Sequence, residues 1–149
     1  MRFKTNLRLK LLAGVLIVMS TNDLRAQSNT QITVSGIRSA KGQVVVSVFK
    51  DEKSFDEEIP FKKIPFDKKG LVNGTMVVNV KLDPGTYGLV LVDDENKNGK
   101  LEKNFVGVPK EGFGFSNFFM EKLKKPSFHE FKMNIKGDAN KAGIRVKYM

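Results

Sequence analysis

The chain has 149 residues, 40% hydrophobic and 28% charged, with 26 basic residues against 16 acidic ones and a formal net charge of +10. That length holds one domain built around one core. Cys is absent and His129 is the only histidine, which excludes disulfide scaffolds, thiol chemistry and Cys/His zinc sites.

Arg2, Lys4, Arg8 and Lys10 stand ahead of an apolar run at residues 11–19, and the small residue Ala26 follows. This is the order of a secretory signal peptide: charged segment, short apolar segment, cleavage site. The apolar run is too short to span a bilayer, which takes roughly 20 residues. The expected organisation is a signal peptide at 1–26 and a single domain at 27–149, exported to the periplasm or beyond with no integral membrane span after cleavage. With no Cys behind the apolar segment, a lipidated N-terminus is excluded. Cleavage removes five basic residues and one acidic one, so the excess falls from +10 to +6. An excess of that size favours anionic partners, here an envelope component or a polysaccharide.

Beyond Ala26 the apolar residues follow a period of two. Ile32, Val34 and Ile37 open the series; then GQVVVSVFK puts Val44, Val46 and Val48 on one face and Val45, Ser47 and Phe49 on the other, a strand covered on both sides. The next segment, DEKSFDEE, forms a helical turn with Asp51 as N-cap and Phe55 as its anchor. Pro60 and Pro65 make residues 59–70 an edge strand or extended loop. Met76, Val78, Val80 and Leu82 then alternate with polar partners, and Asp83-Pro84-Gly85 turns the chain into Tyr87, Leu89 and Leu91, with Gly85 supplying a positive φ. TYGLVLVDD is apolar on both faces and belongs at the centre of a sheet. Phe131, Met133 and Ile135, then Ile144, Val146 and Tyr148, form two late strands with one wet face each. About seven short strands with almost no helical periodicity predict an all-β fold, a single antiparallel β-sandwich with one long Gly/Phe-rich loop.

That loop, residues 93–126, is longer than the roughly 12 to 15 residues at which a structureless connection becomes unusual. Its first part spaces Asp94, Asn96, Asn98, Gly99, Lys100 and Glu102 like the first nine positions of a calcium loop, with the Lys100 carbonyl as the neutral ligand. Phe105 stands where the bidentate Glu should be, so the loop is not an EF-hand. Calcium would need a distant carboxylate, for which Glu111 and Asp93 are the candidates. The competing reading is a self-supporting turn, because Asp and Asn side chains accept from backbone amides two residues on. The second part alternates Gly112 and Gly114 with Phe113 and Phe115 and adds Phe118 and Phe119. It reads either as a ligand-facing lid or as a plug for one end of the sandwich.

The stretch LDPGTYGLVLVDDENKNGKLEKNFVGVPKEGFGFSN, together with Pro126-Ser127-Phe128, resembles the secreted bacterial family catalogued as domain of unknown function 2141. The resemblance covers essentially the whole chain after the signal. Family members often carry His where this chain has Asp93. The resemblance implies an exported β-sandwich of the transthyretin or carboxypeptidase-regulatory type and brings no established catalytic residues.

For nucleophilic catalysis Ser116 would need a base, the sole histidine His129 sits beside a strand start, and GFSN lacks the flanks of a nucleophile elbow. The paired carboxylates Glu57-Glu58 and Asp93-Asp94 read as solvated loop residues. Lysines without interleaved stacking platforms do not make a nucleic-acid surface. The expected function is therefore a non-catalytic binding or scaffolding domain at the cell envelope. The alternatives are a calcium-stabilised accessory or adhesion domain and, distantly, a small secreted hydrolase.

Overall fold

The computed structural model describes residues 27–149 apart from 123 and 138. The signal-peptide expectation therefore lies outside the described residues. Among the described residues there are eight strands and two short helices: β1 (Ser28–Ser35), β2 (Gln43–Phe49), α1 (Glu52–Asp56), β3 (Lys62–Asp67), β4 (Met76–Leu82), β5 (Gly85–Asp94), β6 (Gly112–Phe115), α2 (Phe128–Phe131), β7 (Lys132–Ile135) and β8 (Asn140–Arg145). None of the described helices is long and apolar enough to cross a membrane.

The strands form two sheets packed face to face. One has three strands in the order β4-β1-β8; the other runs β3-β2-β5-β6, with β7 also paired to β5. The all-β sandwich is as the alternation requires, with eight strands in place of about seven. One pair departs from the antiparallel pattern, since β8 runs parallel to β1. The chain reaches that register because β8 returns from the far sheet, and beyond Arg145 it crosses back: Phe113 and Lys147 exchange two backbone hydrogen bonds of 3.0 and 2.8 Å.

Period-two patterning explains where each strand lies. In β1 and β4 every second residue is buried and the rest are wet, as one-sided strands should be. β2 and β5 are buried on both faces. Inward, Val44, Val46, Val48, Leu89 and Leu91 meet Ile32, Val34, Val78 and Val80 of the opposite sheet. Burying each such side chain contributes about 1.5–3 kcal/mol before chain entropy is set against it. Outward lies a second apolar cluster, Phe49, Phe55, Phe113, Phe115, Met120, Phe128 and Phe131. The expectation of one core thus becomes two, separated by the five-stranded sheet.

Two local expectations hold and a third takes a different form. Asp51 caps α1 and accepts from the Ser54 amide at 2.7 Å, while Phe55 anchors the turn in the second cluster, as read. β3, with Pro65, is an edge strand as its prolines demand. The turn at residues 83–85, however, carries the chain from one sheet to the other and does not join a hairpin. Gly85 is not in the positive-φ region there, so its role is space beside the Tyr87 ring.

Candidate functional site

β5 ends in two aspartates that its pleat sends to opposite faces. Asp93 closes the inner core, where it pairs with Lys68 and accepts from the Tyr148 hydroxyl, all in a buried setting. The Lys68 ammonium also donates to the carbonyls of Ser39 (3.0 Å) and Lys41 (2.5 Å). Tyr148 accepts from the Arg38 amide at 3.1 Å and stacks under the Arg38 guanidinium. Burial, reinforced by the bond to Asp93, pushes the Tyr148 phenol well above its ordinary range. The Arg38 guanidinium in turn donates to Glu95, which with Ser39 holds that carboxyl down at about 2. These contacts run between segments of the two sheets, so the group is a clasp joining their ends.

Asp94 works on the other face. Its carboxylate accepts from the Asn98 amide (3.0 Å), the Gly99 amide (2.9 Å) and the Gln43 side chain (2.7 Å). Asn96 accepts from Asn98 N, Asn98 accepts from Lys100 N, and the Asn96 amide group donates to Glu102. The ladder is thus a turn that ties its own backbone, with Lys97 and Gly99 at positive φ. Glu111 approaches from the far side and accepts from the Glu102 amide at 3.3 Å. Its other oxygen is buried without a hydrogen-bond partner, and burial, together with nearby Asp94, Glu102 and Asp93, pushes its carboxyl upward. The structure therefore gathers Asp94, Asn96, Asn98, Lys100, Glu102 and Glu111 in one segment, but through backbone bonds. Among the described residues no group of three or more His, Asp or Glu is arranged to hold a metal ion.

Residues 102–110 then fold into a finger. Lys110 N bonds Glu102 O (2.8 Å), Asn104 N bonds Val108 O (2.8 Å), and Gly107 N bonds Asn104 O (2.9 Å). The Asn104 side chain braces the tip by accepting from Val106 N and Val108 N. The Gly/Phe segment expected to continue this loop is strand β6. Gly112 and Gly114 face inward, where a Cβ would run into the Tyr148 ring, Val146, Ile144 and the Arg145 carbonyl, while Phe113 and Phe115 face the second cluster. The aromatic plug is therefore real, but it covers the outer face of a sheet and not the end of the sandwich.

Between that face and the finger lies a cavity of about 670 Å³. Its floor is Val45, Ser47, Val90, Val92, Phe113 and Phe115, and its roof is formed by residues 99–101 and 106–109. Lys63, Lys100, Lys103 and Lys125 stand around it with the single acid Glu58. Lys103 pairs with Glu58, and Lys125 lies over the Phe55 ring and bonds Asp56 at 3.0 Å. A family model described as an uncharacterised protein conserved in bacteria, domain of unknown function 2141, matches residues 32–142.

The chain belongs to this family. Nothing matches among curated proteins or among solved structures. The match to the domain of unknown function 2141 spans the aspartate pair, the finger, β6 and the cavity floor. Ser116, the one candidate nucleophile, is fully buried; it accepts from Leu89 N (3.0 Å) and donates to Phe131 O (2.7 Å), pinning α2 to β5, while His129 is exposed. Sequence reasoning passed over the cavity, because its floor is the second face of strands read simply as buried. The signal was there in Val45, Ser47, Val90 and Val92, which need a cover that two sheets alone do not provide.

Proposed function

We propose that this member of the family is an exported, non-catalytic binding domain of the cell envelope, and that it holds a small amphiphile in the cavity above the five-stranded sheet. The observation that carries the reading is the cavity itself. Its volume of about 670 Å³ falls within the range of small-molecule sites, roughly 300–1,000 Å³, and its floor is apolar while its edge is lysine-rich. An acyl or similar apolar body would lie against Val45, Val90 and Val92, with an anionic end at Lys63 and Lys100. Met120 and Met149 on the lining adapt to chains of different shape.

The test is displacement of a fluorescent fatty acid from the domain in vesicle-free solution by unlabelled fatty acids and by fatty alcohols of equal length. Val90→Phe fills the floor and is expected to abolish binding with the melting temperature kept. Lys63→Glu with Lys100→Glu is expected to weaken the acid by about tenfold and leave the alcohol unchanged, since only the acid meets the charge. Absence of displacement in wild type, or undiminished binding in Val90→Phe, would remove the proposal.

A second reading, a calcium-stabilised accessory domain, draws support from the unpartnered oxygen of Glu111 beside Asp94 and Glu102. Calcium that raises the melting temperature of wild type but not of Glu111→Gln would carry it. Equal melting with calcium and with chelator would discard it.

A further inference from the structure

The finger at residues 102–110 exposes the two apolar residues of its tip, while Val108 and Pro109 behind them line the cavity. Phe105 is 99% exposed and Val106 66% exposed at the tip, although the backbone beneath them is tied by three cross-finger hydrogen bonds and two more accepted by the Asn104 side chain. A braced tip that presents an aromatic ring to water leaves apolar area unused by the fold. Ile59 and Phe61, 64% and 55% exposed, flank Pro60, which lines the same cavity as Val106. The Lys103–Glu58 ion pair joins the finger's base to that second apolar segment. The finger's charge is mostly positive: residues 96–110 hold Lys97, Lys100, Lys103 and Lys110 against Glu102, with Lys103 already paired to Glu58. Lys50 lies 3.5 Å from the centre of the Phe61 ring, and Lys63 reaches the Gly99 carbonyl at 3.4 Å.

We propose that this rim is a docking surface for an anionic lipid bilayer, with Phe105 and Val106 entering the headgroup boundary and the finger lysines on the phosphates. The occupant follows from the pairing of features. Protruding apolar tips suit a fluid interface and lack the concave partner that a rigid protein surface would have to supply. The lysines around them favour a negatively charged surface, each adding attraction that salt screens. Docking would set the cavity mouth toward the membrane, yet it does not require the cavity to hold anything: a domain that docks and binds no fatty acid keeps the docking surface and loses the amphiphile site.

The chain has no tryptophan, so Phe105→Trp introduces a single reporter. The experiment is flotation of the domain with phosphatidylcholine vesicles, with and without phosphatidylglycerol, at low and high salt, alongside the emission of the Phe105→Trp variant. Flotation with the anionic vesicles alone, weakened by salt, and a blue-shifted indole emission are expected. Phe105→Ala with Val106→Ala is expected to lower partitioning by at least about tenfold at unchanged melting temperature, because both side chains lie outside the core. Equal flotation of that double variant, an unshifted indole emission, flotation independent of headgroup charge, or loss of the exposed tip to a dimer of this chain in sedimentation would each overturn the inference.

Discussion

Thr30 sits on the inner face of β1 with its hydroxyl buried and without a hydrogen-bond partner. Leaving such a group unmade costs free energy that an isosteric apolar side chain does not incur. Thr30→Val is therefore expected to stabilise the domain by about 1 kcal/mol in denaturant melts, with the slope unchanged. Glu111 is the ionisable counterpart. Its folded carboxyl is pushed above the ordinary range by burial and by Asp94, Glu102 and Asp93, so the native state binds its proton more tightly than the unfolded chain does. Stability from that proton is present at acid pH and is lost as pH rises through the folded value. Glu111→Gln should accordingly melt higher than wild type at neutral pH, with the gap closing toward about pH 4. At this scale the sequence disclosed the residues but not their partners: the Asp/Asn ladder was legible as a tied turn or an ion loop, and the structure shows its side chains accepting from Asn98 N, Gly99 N and Lys100 N.

β6 shows how an element can hide in a loop. Four residues, GFGF, are too few for a periodicity to declare itself, and two glycines lower any strand preference. The alternation is nevertheless structural, because the returning chain at residues 144–148 passes so close that only hydrogen fits on the inner face. Gly114→Ala would drive a methyl group against the Arg145 carbonyl and the Ile144 side chain, and a loss of about 1–3 kcal/mol is expected in thermal or denaturant unfolding. A neutral outcome would mean that residues 144–148 are not held against β6. The longer strands needed no such help. β2, β4 and β5 stood out because seven or more residues of alternating or continuous burial leave few other arrangements.

For the molecule as a whole, the clasp of Lys68, Asp93 and Tyr148 binds the segment after β3, the end of β5 and the segment after β8 into one piece. Lys68→Met would strand the Asp93 carboxylate in a buried site, and a loss of about 3–5 kcal/mol is expected; adding Asp93→Leu should recover most of it by removing the uncompensated charge. If the single and double variants unfold alike, the ion pair is not what holds the ends together. Period-two alternation and turn residues were enough to establish an all-β domain, its edge strand with Pro65 and its central strands, because burial on one or both faces is written locally along each strand; the family was legible only in the motifs around Asp94 and Gly112. Distribution of those strands over two sheets, the parallel β1–β8 pair, the choice of Asp93 as the inward aspartate and the cavity beneath the finger depend on distant segments, such as Arg38 and Tyr148, which lie 110 residues apart. No local pattern specifies which of two equally apolar faces meets the other sheet and which is roofed by aromatic side chains; long-range packing made that choice.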